Sequence, residues 1–296
     1  MKMTLDRVLE SYKKLRETHF RILKIMEKNL RRFEYVPIQY LSKKLRIKKE
    51  KLERIMNFLH KEKIVKRRES GYLGYSLTYK ALDILAIKDL ESLGVITRIV
   101  RKIGVGKEGD IWIALFGDIP RILKLYRLGR DSFKKIRVHR TYYAHQSIKT
   151  WFDLSIKSAR REYRALNVLY NKGVKVPEPI TISRHVIVMD YIEGKELVKT
   201  FLENPKDIFI KIVKEVFKAL KAGFIHADLS EFNVMVTEDG DIYLIDWPQY
   251  VVPTDEEAEK YLERDIRNLV RYFVRKYRLD ERELYQIVRE IFEREF

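Results

Sequence analysis

Over residues 1–92, apolar positions recur in short bursts whose period changes in a definite order. Leu5, Val8, Leu9, Tyr12 and Leu15, then Phe20, Ile22, Leu23, Ile25 and Met26, keep near-helical spacing, so Leu5 to Leu30 is expected to be helical. Pro37 stands where a helix begins, ahead of Ile38, Leu41 and Leu45, and predicts a short second helix. From Lys48 to Lys61, Leu52, Ile55, Met56 and Leu59 make one face, with Lys48, Lys49, Lys51, Glu53, Arg54 and Asn57 outside it. Ile64 to Arg68 and Tyr75 to Thr78 flank a Gly71–Gly74 turn, the signature of a β-hairpin, and Ala81 to Leu90 returns to helical spacing.

Beyond residue 92 the pattern is mixed. Gly94 to Lys102 reads as a linker leading into a strand, and a glycine-rich segment runs from Gly104 through Gly106 to Gly109 between two β-rich stretches. Arg121 to Tyr126 is a strand with Lys124 among apolar neighbours, and Val186 to Gly194 is a buried strand running into a connector. Phe209 to Ala222 is an amphipathic helix. Val234–Val236 and Ile242–Ile245 are short strands, and Lys260–Val274 and Glu281–Phe292 are two closing helices. Between Lys124 and the next helix, residues 129–157 carry dense positive charge, two isolated histidines (His139 and His145) and several aromatics. This segment reads as a mobile basic insertion.

Charge sharpens the first module. The chain of 296 residues holds 61 Lys and Arg against 43 Asp and Glu, a net charge of +18. Residues 1–92 hold 24 basic and 12 acidic side chains, while the rest hold 37 and 31. Helix, short helix, helix and basic hairpin is the order of a winged helix, which sets its later helix in a nucleic-acid groove. Lys48, Lys49, Lys51 and Arg54 on the third helix and Lys66, Arg67 and Arg68 on the wing are therefore the candidate nucleic-acid contacts. A solvated basic face on a protein–protein adaptor is the alternative. There are no cysteines, so no disulfide partner and no cysteinate metal site. No apolar run is long enough for a bilayer and no signal-peptide core is present, so no membrane partner is expected and a soluble, cytoplasmic protein is.

The chemistry is concentrated near residue 228. His226-Ala227-Asp228 is followed by Asn233, five positions after the Asp, and Asp246 stands at the end of a strand thirteen positions further on. Phosphoryl transfer needs one carboxylate to orient the nucleophile and two oxygen donors to hold Mg2+ on the phosphates, and Asp228, Asn233 and Asp246 supply that set in order. The Gly104 segment is not a Walker loop, because Glu108 follows Lys107 where Ser or Thr is required. Nor is it a dinucleotide fingerprint, because a strand comes after it. It is suited to closing over phosphates with its backbone N–H groups. In a kinase reading Lys124 pairs the α/β-phosphates and Glu162 on the next helix holds Lys124, although an exposed helical ion pair is open to Glu162 as well. Met189 lies at the back of the adenine pocket, and Asp190 and Ile192 offer backbone groups to adenine. Gly104, Gly106, Lys107 and Glu108 complete the nucleotide-binding set. His226 is read as structural.

With these residues the chain resembles the Rio-type atypical protein kinases, in their winged-helix-bearing subfamily. The resemblance is carried by the Gly104–Asp110 run, Ile122-Leu123-Lys124, the downstream run to Arg130, Ile225–Asn233 and Leu244–Gln249. It implies an α+β chain: a winged-helix domain at 1–92, then a trimmed two-lobed protein-kinase-like domain at 93–296. Within the latter the N-lobe spans 93–189, the hinge 190–194 and the C-lobe 195–296. It further implies ATP with Mg2+ (Mn2+ as the alternative ion), serine kinase activity, and a role in small ribosomal subunit maturation with the precursor particle and its rRNA as partners. The family usually has Ser where this chain has Gly109. Its metal-loop motif here reads Asp246-Trp247-Pro248, and Pro248 excludes the glycine-dependent flip of signalling kinases. No Ala-Pro-Glu motif comes after Asp246, so a peptide-binding groove is not expected. Three functions stay open: a kinase with a Ser acceptor, an ATPase-like switch whose acceptor is water or Asp246, and an RNA-binding pseudokinase.

Overall fold

The computed structural model describes residues 5–105, 109–127 and 151–296, with the side chains of residues 5, 6, 105 and 151 outside that description. Gly106, Lys107 and Glu108 therefore lie outside the described residues, as do His139, His145 and most of the insertion expected at 129–157. The chain forms two compact units: residues 1–119, 123–157 and 183–186 in the first, and 120–122, 158–182 and 187–296 in the second.

The first unit opens with α1 (Leu5–Lys13), α2 (Glu17–Lys28), α3 (Ile38–Leu45), α4 (Lys49–Lys61) and α5 (Tyr79–Ser92). Strands β1 (Val36–Pro37), β2 (Val65–Arg68) and β3 (Gly74–Leu77) form an antiparallel sheet in the order β1-β3-β2, with Val65 opposite Leu77 and Arg68 opposite Gly74. This is the winged helix expected, with one correction. The helix expected from Leu5 to Leu30 is broken: Lys14 and Leu15 donate to the carbonyls of Ser11 and Tyr12, and Arg16 starts a new helix, its N–H donating to His19 Nδ1 at 2.8 Å. The break lets Tyr12 and Phe20 meet edge-on at 5.6 Å.

Leu23, Met26, Leu41, Leu52, Met56, Leu59, Leu82 and Leu85 are buried, each worth about 1.5–3 kcal/mol relative to exposure. Helix α5 is buried nearly all round, including the polar Lys80 and Asp83, which marks a helix enclosed by protein. Lys80 Nζ donates to Glu62 O at 2.8 Å.

Strands β4 (Arg98–Val105), β5 (Gly109–Phe116), β6 (Ile119–Tyr126), β7 (Pro179–Ser183) and β8 (Val186–Asp190) form a five-stranded sheet in the order β4-β5-β6-β8-β7. Helix α6 runs from Trp151 to Asn171, so the last residues of the insertion expected at 129–157 are helical instead. Arg184, in the turn between β7 and β8, sits at φ 55° and grips α2 and α5. Its guanidinium meets Glu27 through two bonds of 2.5 and 2.9 Å and Asp89 at 2.7 Å. Such a bidentate, largely buried pair is geometrically specific.

In the second unit, β9 (Gly194–Glu196), β10 (Val234–Thr237) and β11 (Ile242–Leu244) form an antiparallel sheet in the order β11-β10-β9. Helices α7 (Pro205–Lys221), α8 (Ala258–Tyr277) and α9 (Glu281–Glu295) pack beside it, with Phe209, Ile212, Val213, Leu269 and Phe273 buried and Phe209 against Phe273 at 5.3 Å. Among the described residues no helix is long and apolar enough to cross a membrane.

Candidate active site

The loop after α7 is held by backbone and side chain together. Ile225 and Val251 exchange two backbone bonds of 2.9 Å, tying the start of the loop to the segment after Asp246. His226, buried, has Nε2 2.9 Å from Ile245 O, and its ring lies 4.5 Å from that of Trp247. This is the structural role read from the sequence. Asn233 joins both halves of the site: its Nδ2 donates to Asp228 O at 2.7 Å, and its carbonyl accepts from Ile245 N at 3.0 Å. The backbone segments that carry Asp228, Asn233 and Asp246 are thus joined in one hydrogen-bonded frame.

Two residues of this frame have left-handed backbones without being glycine, Ala227 at φ 59° and Asp246 at φ 68°. Such conformations cost about 1–3 kcal/mol each and persist only where the surroundings over-determine them. For Ala227 the surroundings are α8. Asp265, 1% exposed, accepts from Ala227 N at 2.7 Å and Leu229 N at 3.1 Å. Arg264 donates to Ala227 O, and Asn268 Nδ2 to Leu229 O at 3.2 Å. Burial pushes the Asp265 carboxyl up, against the opposing pull of His226 and the two N–H groups.

For Asp246 the surroundings are α6. Trp247 N donates to Glu162 Oε1 at 3.0 Å, and Arg161 donates to the carbonyls of Pro248 (2.9 Å) and Tyr250 while stacking over the Tyr250 ring at 3.9 Å. Glu162 is buried, so the exposed helical ion pair is not its state. Sequence reasoning missed Asp265, Arg264 and Arg161. A signal for the first was present: an Asp placed among the apolar positions Ile266, Leu269 and Val270 of an amphipathic helix.

Lys124, in the first unit, lies on β6, an interior strand, with Leu123 and Leu125 buried on the opposite face and its Nζ 5.2 Å from the Tyr126 ring. A lysine on an edge strand is thereby excluded. Gly104 pairs with Ile111 across the β4–β5 hairpin, next to a register shift. At Gly109 an added Cβ would lie 1.8 Å from Leu125 O, so the glycine permits close approach of β5 and β6. Met189 is buried at the end of β8. Asp190 N donates to Glu178 O at 3.0 Å, so that N–H is already committed. Burial, with Glu178 nearby, pushes the Asp190 carboxyl up. Ile192 comes next in the connector and is half-buried.

In the winged module Lys48, Lys49, Lys51 and Arg54 are all exposed along α4. Lys66 and Arg67 are exposed on β2, whereas Arg68 is half-buried between the rings of Tyr35 and Tyr72.

The donor set fits a hard divalent cation. One carboxylate (Asp246) and one amide oxygen (Asn233, whose Nδ2 is committed to Asp228 O) are the kind and number of ligands Mg2+ takes when phosphates and water complete its shell. Among the described residues no cluster of three His, Cys, Asp or Glu side chains is assembled to hold a metal alone.

A winged module preceding a domain with this catalytic loop is the architecture of a RIO-type protein kinase, and residues 109–285 match the family model of the RIO domain. Residues 12–92 match that of the Rio2 N-terminal domain, and the chain belongs to the Rio2 family of serine/threonine protein kinases. It is 39% identical over 271 residues to the RIO-type serine/threonine-protein kinase Rio2 of Methanocaldococcus jannaschii, covering 89% of this chain and 98% of that one. To the Schizosaccharomyces pombe serine/threonine-protein kinase rio2 it is 33% identical, over 87% of this chain and 76% of that one. The Chaetomium thermophilum Rio2 kinase, solved as an ADP/Mg2+-phosphoaspartate complex, matches with a TM-score of 0.80 at 28% identity, over 94% of this chain and 88% of that chain.

Proposed function

We propose that this chain uses ATP and Mg2+ for phosphoryl transfer in maturation of the small ribosomal subunit, on a precursor particle whose rRNA its winged module contacts. The observation that carries the enzymatic part is Asn233, which binds the backbone of the Asp228 loop and of the Asp246 loop at once. In this reading Asp228 orients the attacking group, Asn233 and Asp246 ligate Mg2+, and Lys124 steadies the α/β-phosphates. Mg2+, once bound, neutralises charge on the transferring phosphoryl group.

A second acceptor class has its own support. Helix α8 begins at Ala258, only twelve residues after Asp246, which leaves a short stretch where signalling kinases carry a longer activation segment that binds peptide. The phosphoaspartate of the Chaetomium complex points the same way. Asp246 or water then takes the phosphoryl group, and nucleotide state governs release from the particle.

Single-turnover reaction with γ-labelled ATP separates the readings. Label on serine supports the kinase, free phosphate or label on aspartate supports the switch, and neither product overturns both. For the partner, reversing Lys49, Lys51 and Arg54 together is expected to flatten the log–log salt dependence of rRNA affinity by about 2–3 units. An unchanged slope would move the contact elsewhere. This reading carries a cytoplasmic location with it.

A further inference from the structure

Asp83 stands on α5 with no exposed surface, in a helix whose other buried residues are Leu, Ile and Ala apart from Lys80. A carboxylate in such a place gains nothing over an apolar side chain as packing; what it adds is two acceptors held in fixed directions. Its two oxygens are held in two directions: Oδ1 lies 2.8 Å from Nε2 of His185, also fully buried, and Oδ2 accepts from Arg127 Nη2 at 2.6 Å.

The other arm of the same guanidinium continues the chain of contacts. Arg127 Nη1 donates to Asp110 Oδ2 at 3.3 Å, and Lys102 Nζ donates to Asp110 Oδ1. Asp110 comes directly after Gly109 and pairs with Val105 across the β4–β5 hairpin, so it stands where β5 begins. A planar guanidinium holds two carboxylates at fixed separation, as a flexible ammonium would not. Its ends here are a helix inside the Rio2 N-terminal match and a strand inside the RIO-domain match.

We propose that Asp83, a residue of the winged module, is a positioning residue of the nucleotide site, acting through Arg127 on Asp110 to fix the start of β5 against β4. The proposal rests on the reading of residues 104–109 as the nucleotide loop. It has a thermodynamic corollary. A polyanion that shifts α5 on binding the winged module changes nucleotide affinity by some factor, and nucleotide changes polyanion affinity by the same factor.

The test is calorimetric titration of Mg2+–ADP into the full chain and into Asp83→Asn, Asp110→Asn and the double variant, well below their unfolding temperatures. Each single variant is expected to weaken ADP by about five- to tenfold, within the range that coupling through a packed network spans. The double variant should be no weaker than the worse single one, since both break one relay. Unchanged ADP affinity in Asp83→Asn, with only a lowered melting point, would show a purely structural residue and overturn the proposal. So would strictly additive losses. If Asp83→Asn does not fold, Arg127→Lys keeps the charge but loses the fork, and decides between the same outcomes. Failure of the unmodified chain to bind Mg2+–ADP would instead remove the nucleotide-loop reading, and this proposal with it.

Discussion

Asp228→Ala is expected to slow phosphoryl transfer by about 10²–10⁴-fold, the usual contribution of a positioned general base, while leaving Mg2+–ADP affinity nearly unchanged. The reason is which atom each neighbour uses. Asn233 is anchored on the main-chain carbonyl of Asp228, and the loop is pinned through Ala227 N, Ala227 O, Leu229 N and Leu229 O. An alanine keeps every one of those backbone anchors, so the frame should survive the loss of the carboxylate. Turnover and nucleotide titration on the same preparation give the check. Parallel loss of both would mean that Asp228 builds the site and does not act within it.

Asp265→Ala should cause the largest loss of stability among the polar residues around the site. It strips two buried N–H groups of their acceptor, at about 1–3 kcal/mol each, and removes the restraint on Ala227 at φ 59°. Turnover should fall with stability, unlike in Asp228→Ala. Asp265→Asn keeps one acceptor and should lie between. The pH dependence has a defined sign. Because burial raises the carboxyl in the native state, the folded chain holds that proton more tightly than the unfolded one. The group's contribution is therefore fully present below the ordinary aspartate range and is lost as pH rises through the native value. The stability gap between the unmodified chain and Asp265→Asn should narrow over that interval in denaturant titrations.

The features legible in the sequence were those that repeat locally or recur at a fixed spacing. Leu52, Ile55, Met56 and Leu59 define α4, and the Gly71–Gly74 turn marks the wing, because a helix face and a hairpin are settled within a dozen residues. Asp228, Asn233 and Asp246 were singled out by their spacing between short strands, together with the upstream glycine segment and Lys124; the structure adds that Asn233 bonds the backbone of both loops. The break after Lys13 was not legible. Lys14, Leu15 and Arg16 are adequate helix formers, and the turn is decided by where Tyr12 and Phe20 pack. Asp265, Arg161 and Asp83 were missed for a related reason. Each is defined by a partner 38 to 102 positions away, and an isolated charge on a helix looks the same whether it meets water or a buried backbone.

Arg184 bears directly on any attempt to take the chain apart. Its counter-ions, Glu27 and Asp89, both belong to the winged module, as does Asp83, which answers Arg127 and His185. A fragment starting at residue 93 would leave the Arg184 guanidinium with Ser183 Oγ, 3.1 Å away, in place of its two carboxylates, and Arg127 would keep Asp110 but lose Asp83. The kinase half is thus expected to be an unsound object on its own, prone to clumping through the face that α5 now covers. Activity assays on such a fragment would report on a damaged sheet.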